Sequence, residues 1–382
     1  MNVYRRHCCL LLLPAGLCAL WLCCAVLLFY AAPPLYAPAG YWMPELLTLQ
    51  QERMARQQDQ RPRLLVCAGS SALYGLHTPL LEARTGYAVY NLSGTVQMDL
   101  TYHFSHMKKY ARRGDTVLLP LEYWQYKRGA LPEAYAVTQY GTWAREELSA
   151  LSFSAWKEAM GRILPTYPLP LRQARPLPVR PAPEIAALLT AKEHAEAAAP
   201  AASLTPPSGK ERLEDTNASG EFFVDQPPVA GLAPLREHGI DYLGGKPMPA
   251  HAQAALQDMA RWAQAAGVRL LISWAPSVRN KTFDLRLPEH WRRLEARRAE
   301  IEACGIPVIG DGRCFNMDMR YFFNTDYHLN ATGAVLRTLH LADALREAGR
   351  RTPLSEQELA ARSAAHEAEA AAYVRALSRP RS

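Results

Sequence analysis

The sequence predicts an α/β fold: an open three-layer arrangement with a five-stranded parallel sheet and helices on both faces, preceded by one N-terminal transmembrane helix. Three observations lead there. The N-terminus carries a long uncharged apolar stretch, short apolar runs alternate with helical stretches, and that rhythm fails only in the middle of the chain.

No charged residue occurs between His7 and Glu45, and residues 8–30 are long enough to cross a hydrocarbon layer as a helix. The apolar part of a cleavable signal spans about 7–15 residues, so this longer stretch is expected to stay as an anchor. Arg5 and Arg6 precede it and no similar cluster follows closely. The positive-inside rule then keeps residues 1–7 cytoplasmic and sends everything after about residue 35 to the periplasm or exterior.

At 382 residues the chain can bury one sizeable core with insertions. Five of its eight cysteines (Cys8, Cys9, Cys18, Cys23, Cys24) lie in or beside the span, which excludes a disulfide scaffold. Of the others, Cys304 and Cys314 are spaced to pair across a short loop, and Cys67 sits in an apolar run as a small core residue. A net charge of +7 is too modest for a nucleic-acid partner, and anionic glycan or lipid headgroups fit it better.

The run Arg63–Ala68 reads as a buried parallel strand ending in Gly69 and Ser70. Thr78 and Pro79 open a helix that stops at Gly86, and Tyr87–Asn91 forms a second strand. After Gly94 a helix runs to about Tyr110, and Thr116–Leu121 is the third strand. Prolines at 165–183 and alanines at 186–202 then mark 124–242 as an insertion, partly disordered. The alternation resumes with a helix at 250–266, a strand at 268–274, a charged helix at 288–303, a short strand at 306–309 and a helix at 331–349. A catalytic domain is therefore expected over 60–349, with 350–382 as a peripheral helix.

In such a sheet the active site lies beyond the carboxyl ends of the strands, where Ser70 and Ser71 follow the first strand. Before the last helix, the loop Asn324–Gly333 brings Asp326 and His328 to the same edge. Histidine suits removal of a serine proton near neutral pH, and a carboxylate can fix its tautomer. From the residues alone, Ser70 and Ser71 remain alternatives for the nucleophile. His103 and His106 would share a helix face, but no neighbouring cysteine or carboxylate completes a metal set, so no metal is expected.

The block Ala68–Gly75, together with the Asp326–His328 loop, resembles the SGNH (GDSL-like) hydrolase superfamily over residues 63–123 and 250–349. Its anchored, polysaccharide-modifying branches place the serine five residues before a glycine, which selects Ser70. The resemblance implies an oxyanion hole from the amides of Ser70 and Gly94 plus an asparagine after the third strand. That asparagine is missing, because the strand runs into Glu122 and Tyr123. Either Asn91, Tyr123 or another group substitutes, or the hydrolase chemistry is weak, and Glu122 is open to a role as a structural acid on backbone amides. Asp-x-His spacing resembles the alginate O-acetyltransferases, whereas the serine-first order and anchor resemble teichoic-acid D-alanylation proteins. The implied function is extracytoplasmic esterase or O-acyltransferase chemistry without a cofactor. The implied partners are the membrane, a cell-surface polysaccharide or other acylated polymer, and a multispanning membrane acyltransferase. The rival expectation is a catalytically degenerate, anchored glycan-binding or assembly subunit.

Overall fold

The computed structural model describes residues 2–31, 42–56, 60–166, 179–199, 204–205, 212–232, 238–350 and 352–378. The chain folds as two compact units, one of Met1–Tyr41 and Leu131–Pro178, the other of Trp42–Ala130 and Val179–Ser382.

In the first unit, helix α1 (Asn2–Ala31) contains the apolar window Pro14–Ala31, with mean hydropathy 2.0 and only 6% of the window buried. It is long and apolar enough to cross a membrane. Helices α6 (Ala134–Tyr140) and α7 (Phe153–Thr166) complete this unit among the described residues.

The second unit begins with α2 (Met43–Arg56), followed by β1 (Arg63–Val66), the short α3 (Ser70–Leu73), α4 (Thr78–Thr85) and β2 (Ala88–Asn91). Next come α5 (Leu100–Tyr110) and β3 (Thr116–Leu119), then α8 (Ala182–Ala198), α9 (Ala250–Ala266) and β4 (Arg269–Ile272). The chain ends with β5 (Ser277–Val278), α10 (Pro288–Ala303), β6 (Asn316–Met317), α11 (Ala331–Arg346) and α12 (Glu356–Leu377). Local chemistry sets the boundaries. His77, one residue before the expected cap, accepts from the Leu80 amide to start α4, and Gly86 closes it at φ 73°. Asp99 and Asn330 cap α5 and α11 through the Tyr102 and Gly333 amides.

The main sheet is parallel in the order β2-β1-β3-β4, with Leu64 opposite Val89 on one side and Thr116 on the other. Leu64, Leu65, Val66, Val117, Leu118 and Leu119 are all fully buried, as expected for a parallel sheet covered on both faces. The sheet has four strands, and not the five that the sequence suggested. The run 306–309 reaches only a single bridge, Val308 to Ile272, flanked by bonds from Ile272 N to Pro307 O (2.9 Å) and Ile309 N to Ile272 O (2.8 Å). Pro307 has no N–H to offer, and Gly305 (φ 90°) and Gly310 (φ 81°) turn the backbone away at either end. A separate pair, β5 with β6, forms a two-stranded parallel sheet.

The stretch expected as an insertion is largely helical where it is described. Residues 167–178, 200–203, 206–211 and 233–237 lie outside the described residues, so the expectation of disorder there has no counterpart. Cys67 is fully buried in the core, and Cys304 and Cys314 are separate free thiols. The tail helix α12 opens with a capping box between Ser355 and Glu358 and buries Ala370 and Val374.

Candidate active site

From β1 the chain turns to β2 on one side, while β3 pairs on the other, so the strand order reverses at the carboxyl ends of β1 and β3, the place where open parallel sheets bind ligands. Ser70 follows β1 and Glu122 follows β3. The loop before α11 delivers His328 to this edge of the sheet, where its Nε2 lies 2.8 Å from Ser70 Oγ. Ser71 does not compete: its side chain is fully buried and its Oγ has no hydrogen-bond partner. The structure therefore brings Ser70 and His328 together and turns Ser71 away.

The partner of the other imidazole nitrogen departs from expectation. His328 Nδ1 lies 2.8 Å from Asn324 Oδ1, four residues earlier, and not against the Asp326 carboxylate. Loop closure explains the correction. Phe322 and Leu329 bridge antiparallel, Phe323 N–H donates to His328 O, and Thr325 Oγ1 accepts from the amides of Tyr327 and His328. This small hairpin sets residue 324 beside residue 328 and leaves Asp326 at its tip. An amide oxygen only accepts, so with this pairing Nδ1 carries the proton and Nε2 is free to take one from Ser70. Asp326 instead receives the Tyr242 hydroxyl on its main-chain oxygen (3.2 Å). Its carboxyl is pushed up to about 6, chiefly by burial, with Glu122 adding to the rise.

Glu122 holds the nucleophile turn. Fully buried, it accepts the amides of Gly69 (Oε2, 3.1 Å) and Ser71 (Oε1, 3.0 Å). From the opposite side the fully buried Arg337 donates through Nη1 to Ser71 O at 2.6 Å. A Cβ on Gly75 would sit 2.3 Å from Ser71 O and 2.6 Å from Arg337 Nη1, which is why a glycine stands at that position. Burial pushes the Arg337 guanidinium down to about 10, against the pull of Glu122. The two charges thus compensate each other within a desolvated site. Arg337→Met should cost about 3–5 kcal/mol in urea unfolding by leaving Glu122 uncompensated. Adding Glu122→Gln should recover at least about 1 kcal/mol of that loss. Simple additivity of the two losses would show that these charges are not coupled.

Two expected oxyanion groups are committed elsewhere, and the third is packed in the core. The Gly94 amide donates to Ala68 O (3.0 Å), because the β1–β2 ladder continues through Leu92 N to Val66 O and beyond the strands. Asn91 Nδ2 donates to Ala72 O (3.1 Å) and Glu221 Oε1 (3.0 Å). Tyr123 is packed in the core against Trp274, Tyr242 and Phe283, and burial pushes its phenol upward. Among the described residues, the backbone amides of Ser70, Thr95 and Val96 donate no hydrogen bond. Val96 N comes within 2.5 Å of where a Cβ on Gly69 would stand, so this loop overlies the nucleophile turn.

Sequence reasoning missed an aromatic stack behind His328. Tyr74 lies flat on the imidazole (4.0 Å, 7°), Phe222 stacks on Tyr74 (4.7 Å, 13°), and Trp42 meets Phe222 edge-on. Burial against this stack pushes His328 down to about 3. Phe222 comes from the stretch read as an insertion. Its amide donates to Leu73 O, and the adjacent, fully buried Glu221 accepts from Thr78 N, Asn91 Nδ2 and Asn217 Nδ2. His103 and His106 are buried on α5, and among the described residues no group of three or more His, Cys, Asp or Glu side chains is arranged to hold a metal ion. No protein-family model matches the chain, and no curated protein matches it.

Proposed function

We propose that the chain is a serine esterase or O-acyltransferase of the SGNH type that acts on acyl groups of an extracytoplasmic polymer. The observation that carries this reading is the hydrogen-bonded line Ser70 Oγ, His328, Asn324 at the carboxyl edge of a parallel sheet. Ser70 Oγ attacks the acyl carbonyl while its proton passes to His328 Nε2. The tetrahedral intermediate carries its negative charge toward the free amides of Ser70 and of Thr95 or Val96. Collapse breaks the ester bond, His328 returns the proton to the departing alkoxide, and the acyl group stays on Ser70. Water or a sugar hydroxyl, deprotonated by the same imidazole, then accepts it as the acyl–Ser70 bond breaks, and the imidazolium returns the proton to Ser70 Oγ.

The apolar window Pro14–Ala31 of α1, with Arg5 and Arg6 ahead of it in the same helix, supports a single-pass anchor with a cytoplasmic N-terminus and an external catalytic unit. Tethering raises the effective concentration of a polymer emerging at the same membrane, which favours a surface polysaccharide over a small metabolite. A multispanning membrane acyltransferase is the proposed source of acyl groups.

The test is covalent labelling of the purified chain with a fluorophosphonate, which transfers phosphorus to a reactive serine oxygen and releases fluoride. Labelling should map to Ser70, vanish in Ser70→Ala and persist in Ser71→Ala. The second reading, a degenerate anchored glycan-binding subunit, draws on the buried Glu122 beside the nucleophile turn and the committed Gly94 amide. Glycan binding without any serine labelling would favour it.

A further inference from the structure

We propose that the first turn of α7, from Phe153 to Trp156, is a lipid-contact surface that rests in the headgroup layer beside the end of α1. The inference rests on the reading of α1 as a membrane span, and it adds a second, non-spanning element to the anchor.

The inner face of α7 is already satisfied within its unit, where Ala155, Ala159, Met160, Ile163 and Leu164 are buried. Phe153 does not share that face. At 77% it is the most exposed large apolar side chain among the described residues. Its ring stacks on Trp156 (6.1 Å, 18°), and Trp156 Nε1 donates to the Tyr30 hydroxyl at 3.3 Å. Tyr30 is the next-to-last residue of α1, so these three rings form a continuous aromatic patch at the exit of the span. Arg145 closes the same end. Its Nη1 donates to Phe29 O in the last turn of α1, and its guanidinium lies 4.3 Å from the centre of the Phe29 ring.

Aromatic rings with one polar handle settle at the membrane interface, where the ring enters the acyl boundary and the polar atom stays hydrated. Trp156 and Tyr30 have such handles, and Phe153 supplies the purely apolar part. Lys157 and the Glu158–Arg162 ion pair leave the neighbouring surface without a strong sign of charge, so the fitting partner is a zwitterionic phospholipid.

The full chain, reconstituted in phosphatidylcholine vesicles, should be exposed to two photoreactive phospholipids, one with its diazirine near the headgroup and one at the acyl terminus. Mass spectrometry should find acyl-terminal adducts within residues 14–31 and headgroup-level adducts on the peptide containing Phe153 and Trp156. Phe153→Ser should reduce the second set at least threefold and leave the first unchanged. Adducts on α1 without adducts at Phe153–Trp156 would overturn the contact and keep the span. Absence of both would remove the span as well. Shielding of Phe153 that rises with protein concentration in detergent would assign the patch to a second copy of the chain and overturn the lipid contact.

Discussion

Replacing His328 by alanine should slow turnover of an activated ester by about 10⁴-fold, because general acid–base catalysis of this kind contributes about 10²–10⁴ and the imidazole serves both steps. Neighbouring substitutions separate the two candidates for its partner. Asn324→Ala should lower kcat by at least tenfold, since it frees the Nδ1 proton and the ring orientation held by the 2.8 Å bond. Asp326→Asn should leave kcat within about threefold if Asp326 only supports the loop. A carboxylate introduced as Asn324→Asp should raise the acid limb of the kcat/KM profile toward neutral pH, because it stabilises the imidazolium that burial against Tyr74 and Phe222 now disfavours. In the unmodified chain that limb should fall well below 6.5. A larger loss in Asp326→Asn than in Asn324→Ala would restore the carboxylate as the orienting group.

Acidification should unfold the unit of Trp42–Ala130 and Val179–Ser382 well before its carboxylates are exhausted. His77 and His106 are pushed down to about 4, and His103, His328 and His340 to about 3, in every case mainly by burial. The groups facing them do not rescue the charged form. Arg128 and His106 oppose protonation of His103, Lys109 opposes that of His106, and His366 and Arg362 oppose that of His340. Each folded value lies below the unfolded value near 6.5, so the unfolded chain binds protons first as pH falls. The stability these neutral histidines contribute is therefore complete above 6.5 and is lost as pH drops from there toward 3. Each loses up to about 1.4 kcal/mol per pH unit, and five acting together approach the total stability of an ordinary domain within one or two units. Glu221 and Asp326, whose carboxyls are raised by burial, offset part of this because they gain protons in the folded state. The melting temperature should fall continuously between pH 6.5 and 5. A flat profile over that interval would show that these side chains gain water or partners on protonation.

The elements that the sequence announces are those whose burial is uniform. Leu64–Val66 and Val117–Leu119 are apolar at every position because both faces of the sheet are covered, and an unbroken run cannot be mistaken for a surface segment. Ser70 and His328 were legible for a topological reason: each terminates a recognisable element at the one edge where they can meet. Their supporting groups were not. Asn324 reaches His328 because Phe323 N–H closes onto His328 O, a hairpin register that the residue types in the loop do not by themselves specify. The Gly94 amide is consumed because the ladder outruns the strands by two or three residues, a detail below the resolution of pattern reading. Glu221 and Phe222 were hidden in a stretch whose prolines and alanines suggested filler, although Asn217, Gly220 and Glu221 together form a tight, hydrogen-bonded turn.

Glu122, Glu221 and the segment carrying His328 and Arg337 come from three distant parts of the chain, with separations of 258 residues between Ser70 and His328, 266 between Ser71 and Arg337, and 143 between Thr78 and Glu221. Contacts this non-local form late, since the entropy of closing such long loops must be met before any of them is rewarded. A nascent chain that has exposed its Gly69–Ser70 turn therefore carries a serine with no base beside it. Its turn amides wait for Glu122, and its flanking carbonyl waits for Arg337. On the proposed acyl-transfer reading, serine reactivity appears only when α11 docks, so the unfinished polypeptide would be protected from acylating itself, or its surroundings, for nearly the whole of its synthesis.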